Sequence, residues 1–283
     1  MLRGASPASI ERMAKLRVGT VPYLVGRPLD SGLEEEPAIE LSRRVPAELV
    51  RGLRSGELDV ALVSSIELFR EPGYRYVDHV AVSGEGSVAS VQVFLRKPIE
   101  AVRSIALDPA SRAAATLVRV LLSGRTAGEP EFLEVAAGAE PESARADAWL
   151  EIGDRALRRA LSPGAPPAWN PSMEWWKRTG LPFAFAVWIV RPEARISRAD
   201  LEAFSRARVR GASRIAALAE EASRAWSLPL AECRRYLERE CLYEPGEKLR
   251  PALFAFRDAA ARLGLCDGSL APQAIELPAA HVA

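Results

Sequence analysis

Apolar residues occur along this chain both in short continuous runs and at helical spacing. Residues 16–21 (LRVGTV) and 59–63 (DVALV) are strand-like runs. Between them, Pro46 opens a segment whose apolar residues fall on one helical face and which ends near Gly56. A strand, a helix and a strand with short connections form a right-handed βαβ unit. The pattern therefore predicts a mostly parallel sheet in an α/β protein.

A second, independent set of elements is predicted in the middle of the chain. Strand-like runs fall at 88–95, 105–107 and 146–152, and a helix capped by Ser111 follows the second of them. Residues 183–190 are apolar throughout, which is typical of a strand covered on both faces. Beyond this strand we expect helices to the end of the chain, with a capping box at Ser197 and Asp200 and breaks at Gly211, Leu228-Pro229 and Pro245-Gly246.

Composition excludes several classes of protein. The 283 residues are long enough for two domains, and 48% of them are hydrophobic, which excludes a disordered chain. A formal net charge of +1 gives no overall field for nucleic acid or an anionic membrane, so neither is expected as a partner. The three cysteines, Cys233, Cys241 and Cys266, lack a CxxC pairing and are expected to be reduced and mostly buried.

The start of the sequence lacks the pattern of a secretory signal, and the longest apolar run, 183–190, is only eight residues. A bilayer span needs roughly 20 apolar residues. We therefore expect a cytoplasmic protein.

Polar residues follow the predicted strands, where ligands bind in open α/β sheets. They are Tyr23 to Arg27, Ser64 and Ser65, Ser111 and Arg112, Gly153 and Asp154, and the loop 84–87 before Ser90. Hydroxyls and main-chain N–H groups in one cleft suit a carboxylate ligand. Taken one at a time, Ser111 and Asp154 are as well explained as capping residues.

Nucleophile, metal and nucleotide motifs such as GxSxG, HExxH and the P-loop do not occur in the sequence. His79 is interpreted as a structural or surface residue, and His281 lies close to the chain end. The aromatic residues between 175 and 188 are interpreted as core, of which one or two could line a cleft.

The motifs taken together resemble a known family over residues 16–266. They are YL at 23–24 with RPL at 27–29, LRSGELDVALV at 53–63, Ser111-Arg112 after Asp108, IGD at 152–154 and, most specifically, TGLPFAFAVW at 179–188. This combination resembles chorismate dehydratases of the futalosine route to menaquinone. The resemblance implies a type II periplasmic-binding-protein fold, with mixed sheets in two lobes and a ligand cleft between them. It places lobe 1 at 16–92 plus 189–283 and lobe 2 at 93–188, with crossings near 91–95 and 185–190.

The reaction implied by the resemblance is dehydration of chorismate, a dicarboxylate, to 3-[(1-carboxyvinyl)oxy]benzoate, with no cofactor or metal. Ser90 matches a pocket serine that bonds the reacting centre and is the implied catalytic residue. The implied substrate-binding residues are Tyr23, Val25, Arg27, Ser64, Ser65, Ser111, Arg112, Gly153 and Asp154. The enolpyruvyl carboxylate of the substrate is a candidate base, which suits a site without histidine.

The sequence also departs from the family pattern at three places. Val25 stands where the family has an asparagine, residues 85–87 replace aspartate-glycine-proline, and Ala113 and Ala114 replace hydroxyl residues. These departures keep open a non-catalytic cytoplasmic binder or sensor of a small aromatic or carboxylate ligand. A third alternative, the related lyase that makes 1,4-dihydroxy-6-naphthoate, relies on a second-lobe histidine, and none lies between His79 and His281.

Overall fold

The computed structural model describes residues 15–124, 128–136 and 138–279. This part of the chain has eleven strands: β1 (Leu16–Thr20), β2 (Ile39–Arg43), β3 (Val60–Ser64), β4 (Arg75–Gly84), β5 (Val91–Leu95), β6 (Ser104–Leu107), β7 (Glu131–Glu134), β8 (Ala148–Ile152), β9 (Ala168–Trp169), β10 (Phe183–Val190) and β11 (Gln273–Ile275). Its α-helices are α1 (Arg27–Asp30), α2 (Pro46–Ser55), α3 (Arg112–Leu122), α4 (Gly153–Leu161), α5 (Pro171–Thr179), α6 (Arg198–Trp226), α7 (Leu230–Arg235) and α8 (Leu249–Ala261).

The strands form two mixed sheets. The first has the order β11-β4-β10-β3-β1-β2, and the second has the order β7-β6-β8-β5-β9. In the first sheet, β1 pairs in parallel with β2 and β3, while β10 runs antiparallel to β3 and β4. In the second, β6 is parallel to β7 and β8, and β5 is antiparallel to β8 and β9. The prediction of an α/β fold with mixed sheets is confirmed.

The predicted βαβ unit is confirmed, and its sequence signals act as expected. Pro46 occupies the first turn of α2, and Gly56 ends the helix with a φ of 76°, a left-handed conformation that glycine adopts without strain. Leu49 and Leu53 are buried against the sheet. The strand that follows, β3, lies parallel to β1.

Three predictions about element boundaries were wrong. The strand predicted at 88–95 begins only at Val91, because residues 88–90 form a turn in which Val91 N–H donates to Val88 O at 3.1 Å. Helix α6 continues through Gly211, where a β-carbon would lie 1.6 Å from Pro28 O, so the glycine serves close packing against α1. The chain end is not all helical, because β11 pairs in parallel with the edge of β4.

The chain passes from the first sheet to the second between residues 84 and 91 and returns between 169 and 183. Strand pairing thus places Phe183–Val190 wholly in the first sheet and Val91–Leu95 wholly in the second. The two connecting segments directly precede β5 and β10, near which the crossings are predicted. The lobe boundaries at 92/93 and 188/189 stay a prediction.

Two further expectations concern the core and membranes. The three cysteines are free, with Cys233 and Cys241 buried, as predicted. Among the described helices, none is both long and apolar enough to cross a bilayer.

Candidate functional site

A cleft lies between the two sheets, at the ends of β1, β3 and β8. It is narrow: the space open to a water-sized sphere is about 70 Å³, within about 670 Å³ of atom-free space that includes the open mouth. Its walls are mostly apolar, with hydroxyls at a few positions. The lining residues are Val21, Tyr23, Val25, Pro46, Leu62, Val63, Ser64, Val82, Ser83, Val88, Ser90, Val91, Ala110, Ser111, Ile152, Gly153, Phe185, Ala186 and Cys241.

The N-terminus of α3 forms one polar side of the cleft. Ser111 caps this helix: its Oγ accepts a hydrogen bond from Ala114 N–H at 3.2 Å. From the first sheet, Ser64 Oγ accepts from Ala113 N–H at 3.4 Å. Each hydroxyl oxygen thus accepts a hydrogen bond from a main-chain N–H of the helix, and its proton can be donated to a ligand. Together with the positive end of the helix dipole, they make a binding position for an anion.

The N-terminus of α4 forms a second polar side. Gly153 begins this helix with a φ of 68°, and a β-carbon there would lie 3.2 Å from the Tyr23 ring. The next residue, Asp154, accepts a hydrogen bond from Leu24 N–H at 2.9 Å through its Oδ1. Burial raises the pKa of Asp154, whereas the bond from Leu24 and the charges of Arg158 and Arg27 act in the opposite direction. Asp154 therefore connects the second lobe to the turn after β1, and this turn contains Val25.

Ser90 lies on the segment that crosses between the sheets. It is buried and lines the cleft, and its carbonyl accepts from Gly153 N–H at 2.9 Å. Its neighbour Ala89 donates its N–H to Glu240 Oε2 at 2.8 Å, and Asn170 Nδ2 donates to Val88 O at 2.9 Å. The crossing segment is thus fixed from both lobes, which holds Ser90 in position.

Four residues predicted to bind substrate, Arg27, Ser65, Arg112 and Asp154, are not among the residues that line the cleft. Ser65 is fully buried and donates its hydroxyl to Ala184 O at 2.6 Å, a bond internal to the first sheet. Arg27 is partly exposed and faces Glu221 at 3.9 Å. Arg112 places its guanidinium 3.0 Å from the Glu67 carboxylate. The fourth, Asp154, contacts the Leu24 turn, and the remaining predicted positions line the cleft.

Sequence reasoning anticipated one further lining residue and missed others. Phe185 was interpreted as core with a possible role in a cleft wall, and it does line the cleft. Cys241 follows a π-helical turn (Tyr236–Glu240), an irregularity that residue spacing does not show. Burial raises the pKa of this thiol to about 12. Ser83 also lines the cleft and donates its hydroxyl to Leu242 O.

The cleft wall carries no ionisable group that titrates near neutral pH. Within the described ranges, its lining includes no Asp, Glu, His, Lys or Arg side chain. The pKa of Tyr23 is raised by burial and then by Asp108 and Asp154. His79 is exposed, and His281 lies outside the described residues. In the same part of the chain, no group of three His, Cys, Asp or Glu side chains could hold a metal ion.

Solved structures define the class of this fold. The chain superposes on a crystal structure of an Archaeoglobus fulgidus protein with a TM-score of 0.71, at 17% identity over 90% of this chain and 99% of the other. It superposes on the alkanesulfonate-binding protein of Xanthomonas axonopodis pv. citri with a TM-score of 0.64, at 17% identity over 93% and 98%. It thus has the two-lobed periplasmic-binding-protein fold, as predicted.

Sequence comparison then identifies the family. Residues 16–262 match the family described as "Menaquinone biosynthesis", to which this chain belongs. A relative from Thermus thermophilus, named chorismate dehydratase, is 34% identical over 226 residues, or 72% of this chain and 82% of the relative. A second chorismate dehydratase, from Campylobacter jejuni, is 25% identical over 86% of this chain and 92% of its own. The predicted family is confirmed.

Proposed function

We propose that this chain is a chorismate dehydratase, a hydro-lyase that converts chorismate to 3-[(1-carboxyvinyl)oxy]benzoate and water. Membership of the menaquinone-biosynthesis family and the names of its relatives support this reaction. The observation that carries the proposal is the cleft itself: two helix N-termini and several hydroxyls in an apolar wall that holds no ionised side chain. Cytoplasmic location, predicted from the sequence, stays a prediction.

The two ends of the cleft suit the two carboxylates of the substrate. One carboxylate would bind at the N-terminus of α3, where the hydroxyls of Ser111 and Ser64 each have a proton to donate. The other would lie toward the N-terminus of α4, beside Gly153. Helix dipoles and neutral donors stabilise an anion without a buried cation. Apolar side chains such as Phe185 and Val88 would cover the ring.

The reaction removes a proton and a hydroxyl from adjacent ring carbons. The C–H bond at the carbon bearing the enolpyruvyl ether breaks, its electron pair forms the new ring double bond, and the neighbouring C–O bond releases the hydroxyl. The proton and hydroxyl leave as water, and aromatisation supplies much of the driving force. Chemically, the protein has to orient the substrate and assist departure of the hydroxyl.

A proton acceptor has to come from the cleft or from the substrate. The two titratable groups in the described lining, Tyr23 and Cys241, both have raised pKa values, about 12 for the thiol. Neither is an ionised base at neutral pH. This favours the enolpyruvyl carboxylate of the substrate as the base, with the apolar wall excluding water around it. Ser90, which lines the cleft at the crossing segment, would hydrogen-bond the departing hydroxyl.

Incubation of the purified protein with chorismate tests the proposal. Product is followed by absorbance and identified by mass spectrometry. Formation of the benzoate product above the uncatalysed rate supports the dehydratase. Saturable binding of chorismate without product would instead support the alternative, a binder or sensor on the same fold in which Val25 has removed the family's polar group.

A further inference from the structure

Glu67 is a buried carboxylate with more cationic partners than it needs. Its side chain is 1% exposed, and it lies in a helical turn (Ser65–Phe69) immediately after β3. Arg54, Arg70 and Arg112 each donate to it at 3.0 Å. A buried carboxylate requires compensation, and one or two guanidinium groups supply it. A third guanidinium group exceeds what charge compensation alone requires.

The three arginines come from different parts of the fold. Arg54 lies in the last turn of α2 and Arg70 directly follows the turn that carries Glu67, so both belong with the first sheet. Arg112 is the first residue of α3, which follows β6 of the second sheet. The bond from Arg112 to Glu67 thus joins the two lobes, whereas the other two bonds lie within one lobe.

This interlobe pair lies beside the cleft. Arg112 directly follows Ser111, which lines the cleft, and its side chain is 41% exposed. Ser111 and Arg112 also line a second, outer groove together with Arg70, Arg119, Asp108 and Glu134. In that groove Asp108 is paired with Arg155 and Glu134 with Arg119. Glu67 is therefore the carboxylate that compensates both Arg70 and Arg112.

Separation of the lobes would leave Arg112 without its ion-pair partner, whereas Glu67 would stay paired. Glu67 would keep Arg54 and Arg70, while Arg112 would lose its partner and present an uncompensated cation at the anion-binding end of α3. Repulsion among the three guanidinium groups weakens the Arg112–Glu67 bond, so it can be broken without a large penalty. An unpaired cation at a cleft mouth raises the rate at which anions arrive.

We propose that Arg112 is a positioning residue. Its free guanidinium attracts the dianionic substrate to the open cleft, and it forms its ion pair with Glu67 again when the lobes close. The proposal rests on the proposed function for its substrate. It assigns Arg112 a role outside the closed cavity, in place of the direct contact with bound substrate that the sequence predicted. The Arg112–Glu67 ion pair breaks when the lobes separate and forms again when they close.

The kinetic test measures kcat/KM with chorismate at several ionic strengths for wild type, Arg112→Gln and Arg119→Gln. Arg119 is the matched control, because it lies on the same helix and groove but pairs with the exposed Glu134. We expect Arg112→Gln to lower kcat/KM about tenfold at low salt and to remove most of its salt dependence. Arg119→Gln should change neither. Equal losses in the two variants, or an unchanged salt dependence in Arg112→Gln, would overturn recruitment by Arg112.

A second measurement does not depend on turnover. Small-angle scattering of the ligand-free proteins should give a larger radius of gyration for Arg112→Gln than for wild type and Arg119→Gln, since the Arg112–Glu67 ion pair between the lobes is lost. Identical radii of gyration would contradict the proposal that the Arg112–Glu67 ion pair holds the lobes together. If wild type neither binds nor converts chorismate, the proposed function fails, and scattering alone still decides whether Arg112 joins the lobes. Thermal melting of each variant checks that it is folded.

Discussion

The carboxylate of Asp154, at the start of α4, accepts a hydrogen bond from the main-chain N–H of Leu24 at 2.9 Å. The bond connects the second lobe to the turn after β1, and that turn carries Val25 into the cleft. On the other side of the cleft, Ala113 N–H donates to Ser64 Oγ at 3.4 Å. The cleft is thus bridged on both sides by contacts that use main-chain donors.

The buried charge of Asp154 predicts a pH-dependent stability. Its pKa is raised above the usual 3.8, chiefly by burial. Between the unfolded pKa and this raised value the folded protein binds more protons than the unfolded chain, so stability falls as pH rises through that window. Asp154→Asn removes this penalty and keeps an amide oxygen for Leu24. We expect the stability of the variant relative to wild type to increase with pH across the window and then level off.

Urea denaturation between pH 3.5 and pH 7 measures this difference, and variants of the exposed Glu238 provide a control. Glu238→Gln should run parallel to wild type over the range. Parallel curves for Asp154→Asn would show that burial of Asp154 carries no such penalty.

Two buried serines should respond differently to the same substitution. Ser90 lines the cleft, whereas Ser65 donates its hydroxyl to Ala184 O inside the first sheet. We expect Ser90→Ala to lower kcat about 100-fold, in the range of a lost transition-state hydrogen bond; the variant also loses the hydrogen bond between Ser90 and the buried Tyr236. Ser65→Ala should instead lower stability by about 1–3 kcal/mol by leaving the Ala184 carbonyl unpaired, with kcat unchanged. Steady-state kinetics and denaturation of both variants check the contrast, and equal kcat values would remove Ser90 from the reaction.

The pH profile of turnover provides a test of the base. Neither titratable side chain in the described lining is ionised near neutrality, since burial raises the pKa of Cys241 to about 12 and that of Tyr23 is also raised. With a substrate carboxylate as the base, kcat should be constant from about pH 6 to pH 9. A rise in kcat with a midpoint in that range would identify a protein base instead. Cys241→Ala is the control, and its profile should be equally flat.

Sequence periodicity predicted the elements well and their tertiary contacts less well. The strand 183–190 and the helix from Pro46 follow from residue spacing and capping signals, and both were found. Ser65 and Arg112 lie at strand and helix ends, as cleft residues do. Their side chains, however, bond to Ala184 and Glu67, which are 119 and 45 residues away in the sequence. Such partners depend on how the lobes pack, so local pattern cannot reveal them.

Gly211 illustrates the same limit and leads to a further prediction. Glycine disfavours helices, so a break was expected, but in α6 the missing side chain lets α1 approach. A β-carbon would lie 1.6 Å from Pro28 O and 2.5 Å from Pro28 C, both main-chain atoms. Gly211→Ala should therefore destabilise the fold by about 3 kcal/mol or more, despite the better helix propensity of alanine. Chemical denaturation measures this, with exposed Ser213→Ala as control; a more stable Gly211→Ala would contradict the packing argument.

Val25 tests whether a polar group at this position improves the site. It is buried and lines the cleft at the place where the resembled family has an asparagine. An amide here would lack a partner in the free protein, so Val25→Asn should lower stability by about 1–2 kcal/mol. In the complex the amide would hydrogen-bond the substrate, and one added bond corresponds to a rise in kcat/KM of about tenfold. Val25→Ala is the control, since it also loosens the packing but adds no donor or acceptor. Kinetics with chorismate and urea denaturation of both variants separate the two effects. A kcat/KM for Val25→Asn at or below that of Val25→Ala would mean that this chain orients its substrate without a polar group at residue 25.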